Sequence, residues 1–135
     1  MIAASDTQQT NIPYNFVLDH LTGSAIRVRS LFGSYSIYDG EKIVLVLRNK
    51  TDYVADNGVW VATTKEHHQS LKEDFPSMRS ISMFTDGVSE SGWQLLPADS
   101  DDFESSVLNV CELISKGDQR IGKIPKPRKK KNKKA

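Results

Sequence analysis

The sequence predicts an α+β fold in two layers, an antiparallel sheet of five or six strands with helices packed on one face. Three observations carry that expectation. From Ile26 the chain alternates apolar and polar residues to Phe32, breaks at Gly33, alternates again to Asp39, and after a turn runs apolar from Ile43 to Leu47. Alternation is the period of a strand with one wet face, Asp39-Gly40 fits a tight hairpin turn, and an unbroken branched run fits a strand covered on both faces. Helical patterns fall before this meander, after it and near the end, giving the order α-β-β-β-(β)-α-β-β-α, with like elements in runs rather than strict alternation. Finally, 135 residues with 38% apolar and 26% charged residues suffice for one domain with its own core and no staples.

The elements follow in order. Residues 1–10 are polar and form a flexible start. Asn11 can cap a first helix in which Pro13 takes an early position, Phe16, Val17, Leu18 and Leu21 form its apolar side, and Gly23 supplies a stop. The three-strand meander comes next, then a polar loop to Asn57-Gly58 and a brief strand, Val59-Trp60-Val61-Ala62. Thr63 and Glu66 have capping-box spacing, so a second helix runs from about Thr64 to Asp74, anchored by Leu71 and Phe75 and stopped by Pro76. Met78 to Phe84 and Trp93 to Leu96 read as two further strands. Asp101 and Glu104 repeat the cap spacing before a third helix. Its stripe Phe103, Val107, Val110, Cys111 and Ile114 faces the core, and Gly117 ends it. The domain thus spans 11–117, and 118–135 form a basic, mostly disordered tail on which Ile121 and Ile124 alone could dock.

Charge divides the chain. From Lys116 to Ala135 ten basic residues face Asp118 alone, a net of +9, while residues 1–115 carry eight basic and sixteen acidic residues. Seven of the ten residues from Pro125 to Lys134 are cationic: Lys126, Arg128, Lys129, Lys130, Lys131, Lys133 and Lys134. Such density neutralises phosphates and releases counterions, which marks these seven as candidates for sequence-independent nucleic-acid binding. The same run could instead balance the acidic body, solubilise it, or meet acidic lipid.

Catalytic and metal-binding signatures do not emerge. His67 and His68 are adjacent, so on a helix they point about 100° apart and cannot share a metal as an i,i+4 pair does. His20 reads as a surface residue, Cys111 as a core thiol, and Asp99, Asp101, Asp102 and Glu104 as a helix start complementing the macrodipole. The pattern calls for no enzyme, no metal and no cofactor. Arg27 and Arg29 share a strand face, where a cross-strand salt bridge is the expected role. With Tyr35, Trp60 and Trp93 they also form a candidate ligand or partner surface. A single cysteine points to the cytoplasm, no apolar run is long enough to span a membrane, and the first residues lack the basic start and apolar core of a secretory signal.

The run Arg29-Ser30-Leu31-Phe32-Gly33-Ser34-Tyr35-Ser36-Ile37-Tyr38-Asp39-Gly40 resembles the Arg-x-Met-Phe-Gly-Gly-x-Gly-Ile-Tyr-x-x-Gly signature of the TfoX/Sxy N-terminal domain family. Leu31 stands for Met, and Ser34 and Ser36 replace two glycines. The resemblance implies a two-layer α-β(3)-α-β(2)-α fold, a bacterial source, and regulation of competence genes by way of protein partners, with no catalytic residues to carry over. The expected function is a non-enzymatic regulatory or adaptor domain acting through a protein partner, with nonspecific nucleic-acid contact by the tail. The alternative is a small-ligand module with a pocket near Trp60 and Trp93. A homodimer is also open, since a one-sided sheet leaves an edge or an apolar face to cover.

Overall fold

A computed structural model describes residues 12–22, 25–31, 33–81 and 92–124. Six strands form one antiparallel sheet: β1 (Ile26–Leu31), β2 (Ser34–Asp39), β3 (Lys42–Arg48), β4 (Gly58–Val61), β5 (Arg79–Ser80) and β6 (Gln94–Pro97). Their order across the sheet is β1-β2-β3-β4-β6-β5, so among the described residues β1 and β5 are its edges. The helices are α1 (Phe16–Asp19), α2 (His68–Asp74) and α3 (Phe103–Ser115). The α+β class and the antiparallel sheet are as the sequence predicts.

The sheet has an inner and an outer face. Inner residues Ile37, Leu45, Leu47, Val59, Val61 and Leu96 pack with Val17 of α1, Leu71 of α2 and the α3 stripe Val107, Val110, Cys111 and Ile114. All three helices of the described residues therefore cover one face. A smaller cluster, Val46, Trp60, Ile81 and Leu95, lies on the other face, with Ile43 and Trp93 at its margin. A bulge makes this division possible. The β2–β3 register slips between Ile37 and Tyr38, so that Tyr38 pairs with Ile43 and Ile37 with Leu45. The extra residue, Val44, breaks the alternation. Val44 and Leu45 both enter the helix-side core, while Ile43 and Val46 go to the outer cluster.

Local chemistry departs from expectation at several ends. The hairpin turn is Gly40-Glu41, one residue later than Asp39-Gly40, because Asp39 still pairs with Lys42. α1 is a single turn starting at Phe16. Tyr14 adopts a left-handed φ of 55°, which ends any regular helix through Pro13, and the expected cap Asn11 and stop Gly23 lie outside the described residues. The Thr63–Glu66 capping box does not form. Thr63 is buried and its hydroxyl donates to the Arg120 carbonyl at 2.6 Å, so the chain enters α2 through a 3-10 turn, Lys65–His67. Asp101 does not cap α3 either. The helix starts after Asp102, whose carboxylate accepts the hydroxyls of Ser77 at 2.9 Å and Ser100 at 2.5 Å. β5 is only Arg79–Ser80, and the rest of the expected strand, 82–84, lies outside the described residues.

Two glycines are required by geometry. Gly58 has φ 143°, and a Cβ there would lie 2.2 Å from the Leu96 carbonyl oxygen, so β4 and β6 approach as closely as they do only over glycine. Gly117, φ 79°, ends α3 in a Schellman motif: its N–H donates to the Ile114 carbonyl and the Asp118 N–H reaches back to Leu113.

The chain stays packed past Gly117, where the sequence places the start of the tail. Ile121 is 2% exposed within the helix-side core. Gly122 N–H donates to the Ala62 carbonyl, and Ile43 and Lys123 exchange two backbone hydrogen bonds. Residues 118–123 therefore continue the body, filling the place beside β3 that β4 vacates after Val61. Ile124, by contrast, is 64% exposed and does not dock.

Candidate nucleic-acid interface

The seven tail cations, Lys126, Arg128, Lys129, Lys130, Lys131, Lys133 and Lys134, lie outside the described residues. Their root is built in detail. Arg120 grips Asp118 with a two-pronged contact, Nε to Oδ1 and Nη2 to Oδ2, each at 3.0 Å. Its Nη1 reaches Ser70 Oγ at 2.7 Å and Asp74 Oδ2 at 3.0 Å, both on α2. Hydrogen bonding from Arg120 holds the Asp118 carboxyl below the usual carboxylate range against the opposing effect of burial, and the same pairing raises the pKa of Arg120. Together with Thr63, Ile121 and the Lys123 bridge, this cluster fixes where the basic run leaves the body.

The five residues expected to share a ligand or partner surface are not brought together. Arg27 and Arg29 are exposed on the outer face of edge strand β1. Neither forms the expected salt bridge among the described residues. The Arg27 guanidinium lies 4.9 Å over the Tyr38 ring and donates to the Gly40 carbonyl at 3.0 Å, and Ser36, without charge, stands opposite Arg29. Tyr35 points the other way, packing against the helix-side core. Trp60 is 5% exposed, its indole N–H donates to the Asp56 carbonyl, and Trp93 lies against it at 6.0 Å. Val46, Ile81 and Leu95 fill the space around the pair.

Other candidates resolve into structural roles. His68, on α2, is buried with Nε2 3.2 Å from the Gly92 carbonyl, whereas His20 is exposed as expected. His67 pairs with Glu66 at 3.3 Å. The Cys111 thiol, buried in the core, is pushed up to about 12 by desolvation. Among the described residues no three His, Cys, Asp or Glu side chains gather closely enough to hold a metal ion, and no helix is long and apolar enough to cross a membrane. Open grooves lie along α2, about 450 Å³ between Lys65, His68 and Lys72, and between Tyr14, Asn57 and Asp99, about 200 Å³.

Two features escape sequence reasoning. Arg48, at the end of an apolar strand, is buried at 2% exposure and clamps the following loop. It donates to the carbonyls of Asp52 and Tyr53 and to Asn57 Oδ1, and it pairs with Asp52 at 3.1 Å, holding Tyr53 at a left-handed φ of 46°. The Arg120 cluster is the other. Its one legible sign was Asp118 two residues before Arg120, beside an apolar Ile121. No protein-family model, no curated protein and no solved structure matches the chain.

Proposed function

We propose that this protein is a non-enzymatic regulatory or adaptor module that holds nucleic acid, without sequence preference, through its basic segment. The observation that carries the reading is the charge division. The seven cations within Pro125–Lys134 begin just beyond a root that Ile121, Arg120 and the Ile43–Lys123 bridge lock to the core, to α2 and to β3. A cationic run attached to a rigid body by a fixed root tethers that body to a polyanion at little cost in orientation. The resemblance of Arg29–Gly40 to the TfoX/Sxy signature supports a role exercised through protein partners, and the lone buried cysteine supports work in the cytoplasm.

The test is binding of a fluorescent single-stranded oligonucleotide to the full chain and to a form ending at Ile124. With seven phosphate contacts the full chain should show a log–log salt slope of about −5. The shortened form should lose retention at low salt and keep its thermal midpoint. Equal binding by both forms refutes the reading.

A further inference from the structure

We infer that the outer face of β1 and β2, carrying Arg27 and Arg29, is itself a binding surface for single-stranded nucleic acid; that the ligand is nucleic acid rests on the reading above. Directly paired residues in an antiparallel sheet project to the same side. Arg27 pairs with Tyr38, Tyr38 with Ile43, and Ile43 bridges to Lys123, so these four residues form one row across the outer face. At about 4.8 Å per strand, the row places the root of the basic segment roughly 14 Å from Arg27. The next row is Arg29, Ser36, Val46, Trp60, Leu95 and Arg79. Its middle is the buried outer cluster, and the exposed Arg29 stands at its β1 end.

Charge selects the occupant. Residues 1–115 are net acidic, yet β1 carries Arg27 and Arg29 and no acidic residue. Neither Arg27 nor Arg29 has a carboxylate partner among the described residues. Arg27 is also preorganised. Tyr38 beneath it and the Gly40 carbonyl at its edge hold the guanidinium in place, leaving its remaining N–H groups for phosphate oxygens. Arg29, two residues along an extended strand, stands about 6.8 Å farther on, a spacing that lets the two arginines meet successive phosphates of an extended strand. A planar guanidinium can also stack an unpaired base, which favours single-stranded nucleic acid.

The experiment compares four full-length or shortened proteins on one fluorescent single-stranded oligonucleotide across a salt series: the parent, Arg27→Ala/Arg29→Ala, Arg27→Lys/Arg29→Lys, and the form ending at Ile124. Losing two phosphate contacts should make the slope about 1.4 shallower in the alanine pair, and lysine should restore it because charge sets counterion release. Thermal midpoints should stay close to the parent's, both side chains being exposed. If the alanine pair keeps the parent slope while the shortened form loses binding, the sheet face is not part of the surface and the tail reading stands alone. If the shortened form binds like the parent and the alanine pair does not, the tail reading falls and the face survives. Should the alanine pair bind the oligonucleotide normally but lose binding to a poly-glutamate peptide, the face belongs to an acidic protein and the inference is overturned.

Discussion

Replacing Ile121 by alanine tests whether the body extends beyond α3. The side chain is 2% exposed and packs in the same core as Val17, Leu71 and Ile114. The change removes three carbon atoms. At about 0.8 kcal/mol per buried methylene the transfer loss alone is about 2.4 kcal/mol, and the cavity left behind brings the total to roughly 3 kcal/mol, within the usual span for buried Ile→Ala. For a chain of this length that is a fall in thermal midpoint of about 10 °C. Ile124→Ala is the matched control. At 64% exposure it should shift the midpoint by less than about 2 °C. Thermal denaturation followed by tryptophan fluorescence gives both values. Equal, small effects of the two substitutions would show that residues after Gly117 add nothing to the fold, and the fixed root would fall with them.

Three further outcomes follow from single contacts. Gly58→Ala should cost several kcal/mol or abolish soluble expression, because its Cβ would meet the Leu96 carbonyl at 2.2 Å in a backbone region closed to alanine; circular dichroism on the purified variant checks it. Arg120 depresses the Asp118 pKa, so the stabilisation from that pair is complete above the unfolded carboxyl's value of about 3.9 and is lost as pH falls through the folded one. Asp118→Asn should therefore lower the midpoint at pH 7, and its melting curve should depend less on pH than the parent's in the acid range below about pH 4. The Cys111 thiol, buried and pushed up to about 12, should resist a disulfide reagent at pH 8 in the native protein and react at once in denaturant.

Much of the sheet was legible because its signals are local. The alternation through Arg27, Arg29, Tyr35 and Ile37, and the apolar run of β3, identify strands without reference to anything distant. The α3 stripe likewise needs only its own period. The misreadings share a different cause. Thr63 carries a cap signature, yet its hydroxyl is taken by Arg120, fifty-seven residues away. Asp102 looked like one of several helix-start acids, and its serine partner Ser77 comes from the turn after α2. Val44 gives no sign in sequence of being the bulged residue, since any of the five apolar residues Ile43 to Leu47 could take that place. For the candidate site, the basic run is plain in composition. The lock beneath it is not, because Ile121 and Ile124 look alike until tertiary packing separates them. The two tryptophans and two arginines lie on the same outer face, and only the crossing order of the strands shows that one pair is enclosed while the other meets water.

The position of β1 at the border of the sheet has one more consequence. Its free backbone groups could recruit the same strand from a neighbouring molecule, and head-to-tail alignment about Val28 would be the natural match. That alignment sets each Arg27 directly opposite the neighbour's Arg29, two repelling pairs per junction. The arginines thereby guard the border against pairing with a second copy, and neutralising them, by substitution or by concentrated salt, removes the guard and opens the way to a closed dimer through β1.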